Sequence, residues 1–455
     1  MSRYFGQSFA RAATLTIWLS AFGVVHAQSY EESFTAYRAK DYITALAGFQ
    51  TLADQGHPES QYYVGRIYSL GLGVPVDKEK GKFWTQKAAE KGDADAQYVM
   101  GLHFDTGFTK VSPADSQKAA VWYLKAAEQG HMMSQLMLAK MHDEGRGVAK
   151  DAQKAFGWYL KAAEQGDAGV QSEVADRYAT GNGVKPSLTN ACVWKEMSAG
   201  GGNADSMLRT GNCYKAGILG KVDQTKAIEW FQKAADAGLE SGQFELAQAY
   251  EFGEGVVKDE KKAFDLYSKA ADQNHADAQR RLGICYEFAK GVEKDDREAV
   301  KWYQKSADQG NRFAQTNLGF KLMAGEGVTK DLSAAAAWFK KSAEQNYNIG
   351  QHMLATMYED GLGVTRDYEL AVMWYQKAAE LGYAESQNKL GVKLAEGNGA
   401  PKNMVEALKW FTISAAAGNE KAVDNRDKAE KTMKPGDVKK AQGLAAAWMK
   451  KNKEG

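Results

Sequence analysis

Several residue types are scarce in this chain, and each scarcity excludes a class of protein. The 455 residues include only 6 prolines, too few for a disordered chain of this apolar content. Basic and acidic residues are balanced, 58 against 57, whereas proteins that bind a phosphate backbone normally carry a cationic excess. After residue 27, no stretch reaches the about 18 consecutive apolar residues of a transmembrane helix. We therefore expect a folded protein with no membrane span and no nucleic-acid partner.

Motifs that carry chemistry are also scarce. The chain contains no His-Glu-x-x-His, no Cys-x-x-Cys and no Walker loop, and no two histidines of the mature chain are paired at helical spacing. Ser386 and Lys389 match the Ser-x-x-Lys spacing of penicillin-recognising hydrolases, but neither Lys-Thr-Gly nor Ser-Asp-Asn accompanies them. The sequence therefore predicts a non-enzymatic protein with no catalytic residue, no metal site and no cofactor. A hydrolase acting on β-lactams or cell-wall material is the alternative.

The N-terminal segment differs in composition from the rest of the chain. Arg3 and Arg11 precede an uncharged run over residues 12–25, and the small-residue ending Val25-His26-Ala27 follows. A charged start, a short apolar run and a small-residue end are typical of a cleavable secretory signal peptide. We predict that the signal peptide is cleaved after Ala27 and that the mature protein is periplasmic or secreted. An uncleaved N-terminal anchor is the alternative.

Tryptophan recurs along the chain at a period of 36 residues. One longer interval of 38 residues begins the series, and Leu266 occupies one of the expected positions. The tryptophans of the series are Trp84, Trp122, Trp158, Trp194, Trp230, Trp302, Trp338, Trp374 and Trp410. A fixed period of this size indicates an array of small stacked units. We expect these tryptophans to pack in the core, because residues on one helical stripe are core by default.

Residues 351–382 show the pattern of one unit most clearly. Leu354 and Tyr358 fall on one face of a helix, and Gly361 and Gly363 then interrupt it. A second apolar stripe follows and ends at a glycine, where helices commonly end. The unit is therefore predicted to be a helix, a glycine loop and a second helix. Small residues that recur in the first helix are expected to let the two helices approach closely.

The repeated pattern is a small residue, Tyr, Gly-x-Gly-Val, Asp, Trp-Tyr and Lys-Ala-Ala. One copy carries it as Gly283, Tyr286, Gly291, Asp295 and Trp302. This pattern resembles the Sel1-like repeat family, a branch of the tetratricopeptide-type helical repeats, over about residues 58–418. The resemblance implies an all-α fold, an α/α solenoid superhelix of about ten helix-loop-helix repeats of 36 residues with capping helices at both ends. Local departures from the pattern are Pro186, Leu266, Ala289 and Asn403.

The chain is predicted to contain four segments. They are a signal peptide over 1–27, a tetratricopeptide-like capping helix pair over 28–57, the repeat solenoid over 58–420 and basic capping helices over 421–455. Capping segments are needed to keep the terminal apolar faces of an array from water. We expect Trp448 to dock on the last repeat. A basic C-terminal tail that contacts anionic lipid is the alternative for the last segment.

The three cysteines are expected to meet an oxidising compartment after export. Cys213 and Cys285 occupy the same register two repeats apart, which is too far for a disulfide. Cys192 lies early in one helix and Cys213 late in the next, and an antiparallel helix pair brings such positions side by side. We therefore predict a disulfide between Cys192 and Cys213, and a free, buried Cys285. Three free thiols are the alternative.

Function is predicted from positions that vary between repeats while the core positions are retained. Two such positions lie four residues apart in the first helix of each repeat, on the face expected to line the concave surface. Aromatic and arginine side chains there are typical of protein-binding hot spots. The residues predicted to bind a partner are Tyr62, Arg66, Tyr98, Phe244, Arg280, Phe320 and His352.

Tyr62 and Tyr98 are expected to be exposed, and they are the strongest individual candidates. The sequence thus predicts a non-catalytic exported adaptor, a monomer that binds a protein or peptide partner of the cell envelope or of a host. A polysaccharide-binding scaffold that uses these exposed aromatic rings is a further alternative.

Overall fold

A computed structural model of the chain describes residues 29–105 and 113–452, so the predicted signal peptide lies outside the described residues. The described part forms 24 α-helices and no β-strand, which confirms the predicted all-α class. The helices are α1 Tyr30–Arg38, α2 Tyr42–Asp54, α3 Pro58–Leu70, α4 Lys78–Glu90, α5 Ala94–Asp105, α6 Pro113–Glu128, α7 Met132–Glu144, α8 Ala152–Ala163, α9 Ala168–Thr180, α10 Leu188–Gly200, α11 Ala204–Lys215, α12 Gln224–Asp236, α13 Glu240–Phe252, α14 Glu260–Asp272, α15 Ala276–Phe288, α16 Asp296–Asp308, α17 Arg312–Ala324, α18 Leu332–Glu344, α19 Asn348–Asp360, α20 Tyr368–Glu380, α21 Ala384–Glu396, α22 Met404–Ala416, α23 Glu420–Thr432 and α24 Pro435–Lys451.

The chain forms two compact units, Met1–Ala191 and Cys192–Gly455, which we call unit 1 and unit 2. Within each unit, consecutive helices pair. The first helix of a repeat, helix A, packs against the second, helix B, and helix B packs against helix A of the next repeat. Helices α17, α18 and α19 show this order in unit 2. We number the repeats 1 to 10 from α3 onward, so that repeat 7 begins with α15 and repeat 9 with α19.

The residues at the helix ends explain why each repeat turns where it does. In repeat 9, helix A ends at Gly361, which adopts the left-handed conformation with a φ of 70°. Helix B begins after Asp367, whose Oδ1 accepts a hydrogen bond of 2.9 Å from the backbone N–H of Leu370. Ala289 occupies the position of the first loop glycine in repeat 7 and still adopts a φ of 57°. A Cβ in this conformation costs about 1–2 kcal/mol, so the loop is retained against the local preference of alanine.

The small residue in the middle of helix A makes room for an aromatic ring of helix B. A Cβ added at Gly319 would lie 2.7 Å from the ring of Phe339, and one added at Gly283 would lie 2.6 Å from the ring of Tyr303. The predicted role of these residues, close approach of two backbones, is therefore correct only in part. At Gly65, where the facing residue is Thr85, the added Cβ would also lie 2.9 Å from a backbone carbonyl oxygen.

In eight of the ten repeats, the residue after the tryptophan position is an aromatic residue that lies deep in the core; repeats 1 and 4 have Thr85 and Lys195 there. The fully buried aromatic side chains at this position are Tyr123, Phe231, Tyr267, Tyr303, Phe339 and Tyr375. Trp374 and Trp410 are buried, as predicted, but most of the other repeat tryptophans are only half-buried. Their outer faces are covered by a lysine three residues later, and Lys305 Nζ lies 3.8 Å from the Trp302 ring centroid. The tryptophans therefore form the edge of the core, where an indole contacts both apolar side chains and a cation.

A ladder of glutamines joins consecutive repeats. Except in repeat 5, where it is Met207, the fourth residue of helix A is a glutamine whose Nε2 donates to a carbonyl oxygen eight residues earlier, as Gln315 does to Ala307. Its Oε1 accepts from a second glutamine at the end of helix B in the same repeat, as Gln315 does from Gln345 at 2.9 Å. In unit 2, Gln351 and Gln387 are buried and their Oε1 atoms have no hydrogen-bond partner. The corresponding donor positions are Leu381 and Ala417.

Replacing Leu381 with glutamine is expected to stabilise repeat 9 by about 1 kcal/mol, because it supplies a donor to the buried Oε1 of Gln351. Leu381 is 50% exposed, so its removal uncovers little core. The measurement is the urea midpoint of the Leu381→Gln variant against wild type. Leu381→Glu is the matched control, because a carboxylate at this position has no hydrogen to donate. A gain that is equal in both variants would contradict the missing-donor explanation.

The described termini form helices that cover the ends of the array. Helices α1 and α2 form the predicted N-terminal pair, and α2 packs against α3. At the other end, α23 and α24 both pack against α22. The predicted docking of Trp448 is confirmed, because its ring lies 5.7 Å from the ring of Trp410. Pro435 is the first residue of α24 and does not lie in a separate linker, since proline is compatible with the first turn of a helix.

Candidate functional site

The residues predicted to bind a partner are the fifth and ninth residues of the A helices. We call the surface that carries these positions the A-face. In unit 1, Tyr62 is only 9% exposed, and its hydroxyl accepts a hydrogen bond of 3.3 Å from Arg66. The expectation that Tyr62 is exposed is therefore wrong. Tyr98 is half-buried, and its ring lies 4.8 Å from the ring of His131.

Two of the predicted residues in unit 2 are also engaged within the chain. The ring of Phe244 stacks on His275 with centroids 4.7 Å apart. His352 Nδ1 forms a hydrogen bond of 2.8 Å with Ser386 Oγ, and burial lowers the pKa of His352 to about 4. The neutral imidazole of His352 therefore packs between repeats 9 and 10. A fifth-position side chain therefore reaches the next repeat more readily than it reaches solvent.

Arg280 and Phe320 are brought together. Both line a cavity of about 420 Å³ on the A-face of unit 2, between helices α15 and α17. The cavity is bounded by Arg280, Ile284, Glu287, Phe288, Tyr303, Phe313, Asn317, Phe320 and Tyr347. We call it the Arg280 cavity. Its volume lies within the about 300–1,000 Å³ that is usual for ligand pockets, and aromatic rings make up much of its wall.

Phe313 and Tyr347 were not among the predicted residues, yet they form one wall of the cavity. The Phe313 ring lies edge-on to the ring of Tyr347, with centroids 4.9 Å apart. It also lies close to two cations, since the guanidinium carbon of Arg280 is 5.4 Å and that of Arg312 is 5.0 Å from its centroid. Phe313 could have been found from helical spacing, because it lies seven residues before Phe320 on one face of α17.

The acidic residue of the cavity, Glu287, is already paired. It accepts a hydrogen bond of 2.5 Å from the hydroxyl of Tyr303 and lies 2.8 Å from Lys321 Nζ. Burial of the Tyr303 hydroxyl and its bond to Glu287 raise the pKa of Tyr303, so it remains a donor at all physiological pH values. The role of Glu287 is therefore structural. Its negative charge is paired with Lys321 and does not neutralise the guanidinium of Arg280.

Comparison with known proteins identifies the repeats. The Sel1 repeat model matches nine stretches of the chain, at residues 58–93, 94–131, 133–167, 204–239, 241–275, 276–311, 312–347, 349–383 and 384–419. The chain belongs to the Sel1 repeat family. Residues 168–203 are not matched, although two helices, α9 and α10, lie in this stretch as in the matched ones.

Solved structures support the same assignment. The chain is 30% identical to c5321, a protective antigen of uropathogenic Escherichia coli strains with an SLR fold, over 89% of this chain and 94% of that one, with a TM-score of 0.57. It is also 30% identical to a Sel1 repeat protein from Oxalobacter formigenes, over 67% of this chain and 88% of that one, with a TM-score of 0.58. No curated protein matches the sequence significantly. A Sel1 repeat array is an architecture typical of protein–protein interaction.

In this Sel1 repeat protein the Ser-x-x-Lys spacing does not form an exposed nucleophile. Ser386 is fully buried beside His352, and Lys389 Nζ lies 3.0 Å from Glu359. Burial acts to raise the pKa of Glu359, but hydrogen bonds from Lys393, Tyr375 and Lys389 outweigh it and lower the pKa to about 2. Lys389 is thus engaged in an ion pair with Glu359 and makes no contact with Ser386 that an activating base would need.

Within residues 29–105 and 113–452, no cluster of three His, Cys, Asp or Glu side chains is arranged to hold a metal ion. In the same described part, no helix has the length and apolar character needed to cross a membrane. The sulfurs of Cys192 and Cys213 are bonded in the structure, with Cα atoms 6.0 Å apart, and Cys285 is a buried free thiol.

Proposed function

We propose that this Sel1 repeat protein is an exported adaptor that binds a peptide segment of a partner protein in the Arg280 cavity. The observation that carries the proposal is the wall of the cavity, in which the guanidinium groups of Arg280 and Arg312 both lie close to the ring of Phe313. Aromatic and arginine side chains dominate binding energy at protein interfaces. In this protein, aromatic and arginine side chains line the Arg280 cavity and do not lie on a flat surface.

Arg280 and Phe320 are retained from the predicted binding residues, and Phe313, Tyr347 and Asn317 are added. The five side chains combine apolar area with an amide that can both donate and accept hydrogen bonds. Such a combination suits an extended peptide, whose backbone needs polar partners while its side chains need apolar contact. Tyr62, Tyr98, Phe244 and His352 are assigned to the packing of neighbouring repeats in this proposal, and the exposed Arg66 to its hydrogen bond with Tyr62 on the same helix.

Three observations support export. Residues 1–27 have the composition of a signal peptide, and the pairing of Cys192 with Cys213 suits an oxidising compartment. The similar Escherichia coli protein is a protective antigen. An antigen has to be accessible to the host, and export would make this chain accessible in the same way. We place the mature protein in the periplasm or outside the cell, and we assign it no catalytic activity.

The binding proposal is tested by selecting peptides from a displayed random library on mature protein and measuring their affinity by fluorescence anisotropy. Phe288 and Phe252 are the matched pair, because both end helix A one repeat apart and are 63% and 53% exposed. Only Phe288 lines the cavity. Phe288→Ala is expected to weaken binding about tenfold, which corresponds to about 1.4 kcal/mol, whereas Phe252→Ala leaves it unchanged.

Because Phe288 is exposed, its replacement is not expected to change the circular dichroism spectrum or the thermal midpoint. Phe320→Ala, deeper in the cavity, is expected to weaken binding further. If no peptide is enriched, or if both phenylalanine variants bind equally well, the Arg280 cavity is not the binding site.

A further inference from the structure

The guanidinium of Arg280 is mostly buried and poorly neutralised. Its side chain is 17% exposed, and its Nε is enclosed without a hydrogen-bond partner. Burial and the neighbouring Arg281 lower the pKa of Arg280, although an arginine stays charged at any physiological pH. A mostly buried cation whose acidic partner is distant and half-exposed is poorly compensated, so a group that supplies negative charge at this point would bind with a gain in free energy.

The carboxylates around Arg280 neutralise it only weakly. Asp277 forms a long ion pair with it, with Oδ1 3.9 Å from Arg280 Nε and beyond hydrogen-bond distance, and Asp277 also accepts a bond of 2.9 Å from Asn311. Glu287, on the cavity wall, is neutralised by Lys321 and hydrogen-bonded to Tyr303. The neighbouring Arg281 has its own acidic partner, Glu251, at 3.6 Å. The positive charge of Arg280 is therefore directed to the cavity.

A second cation lies at the cavity margin. Arg312 is exposed, and its guanidinium is placed over Phe313 and 5.9 Å from the ring centroid of Tyr347. Its guanidinium donates a long hydrogen bond of 3.4 Å to the backbone oxygen of Gln345. Two guanidinium groups thus lie close to one aromatic ring, and both retain donors for an incoming anion. A planar guanidinium matches a carboxylate with two parallel hydrogen bonds.

We propose that the Arg280 cavity is selective for a carboxylate-bearing peptide, with Arg280 as the residue that determines specificity. The inference rests on the proposed peptide binding and names the chemistry of the bound segment. The carboxylate pairs with Arg280, and an adjacent apolar side chain of the peptide packs on Phe313 and Phe320. Asn317, on the same wall, is placed to bond the peptide backbone. A fully acidic segment without apolar residues would leave the aromatic wall unused.

The carboxylate has two sources in a peptide, a side chain or the free C-terminus. The test therefore uses three versions of each peptide enriched on wild-type protein: the parent, a version with every Asp and Glu replaced by Asn and Gln, and a version with an amidated C-terminus. One of the two neutralised versions is expected to bind wild type at least about tenfold more weakly than the parent. Which one loses affinity identifies the source. Equal affinity of all three versions overturns carboxylate selectivity.

Arg280→Gln assigns the selectivity to one residue. The variant is expected to bind the parent peptide with the low affinity that wild type shows for the neutralised version. Its affinity for the neutralised version is expected to be no lower than that. Arg297→Gln, an exposed arginine on helix B of the same repeat, is the control and is expected to bind like wild type. Arg312 is exposed, so its replacement is not expected to affect folding. Arg312→Gln therefore provides a second test, with a smaller expected loss of peptide affinity.

The two proposals fail in different ways. If peptides bind and Phe288→Ala weakens them, but neutralised peptides bind wild type as well as the parent does, the carboxylate inference fails and peptide binding in the cavity stands. If the acidic preference persists unchanged in Arg280→Gln, the selectivity belongs to another residue and the inference is wrong. If no peptide is enriched at all, both proposals are overturned.

Discussion

Replacing Lys321 with methionine is expected to destabilise repeats 7 and 8 by about 3–5 kcal/mol. The Lys321 side chain is 4% exposed, and its Nζ lies 2.8 Å from Glu287 and 2.9 Å from both Asp296 and Glu326. Burial acts to lower the pKa of Lys321, but hydrogen bonds to these three carboxylates outweigh it and raise the pKa. Methionine fills the same space without the charge, so Glu287 is left as a half-buried carboxylate with no cation.

The measurement is hydrogen exchange of peptides from α15 to α18, together with the urea midpoint. Local exchange is preferred because repeat arrays do not always unfold in one step. Lys340→Met, at an exposed position of α18, is the control and is expected to change stability by less than about 0.5 kcal/mol. The double variant Lys321→Met with Glu287→Gln should recover part of the loss, because it removes both charges. A double variant as unstable as the single one would indicate that Lys321 stabilises these repeats through packing and not through its charge.

The repeat architecture was predictable because it depends on residues that recur in every copy. Leu354, Gly361 and Trp374 recur at fixed spacing, and helix, loop and core follow from spacing alone. The depth of each side chain was less predictable. Trp302 and Tyr303 are adjacent on the same stripe, and only the structure shows that the tyrosine is fully buried while the tryptophan is half-covered by Lys305.

The candidate site was predictable only in part, for a physical reason. Variation between repeats identifies positions that are free to differ, but it does not distinguish a side chain that meets a partner from one that meets the next repeat. Phe244 and His352 differ from copy to copy and still pack within the chain. Arg280 differs and keeps only a long ion pair with Asp277, because Asn311 and Lys321 engage the nearby carboxylates. The pairings of Asn311 with Asp277 and of Lys321 with Glu287 each join residues 34 positions apart and could not be read from a single repeat.

Loss of the Cys192–Cys213 bond is expected to destabilise the start of unit 2 by about 3 kcal/mol, because the bond closes a loop with a sequence separation of 21 residues. Both cysteines are buried, at 4% and 8% exposure, so the bond joins α10 to α11 without access from solvent. The comparison is the urea midpoint of mature protein with and without reductant, and hydrogen exchange of α11 locates the change. Cys192→Ala with Cys213→Ala should match the reduced protein.

The state of the thiols decides whether this bond exists in the mature protein. Titration of unfolded, unreduced protein is expected to find one free thiol, that of Cys285, which is buried in the folded chain. Cys285→Ala should therefore abolish the titration signal while keeping the response of stability to reductant. The double alanine variant should show the opposite result, one titratable thiol and no response to reductant. Three free thiols in exported wild-type protein would contradict the bond, and with it one of the observations that support export.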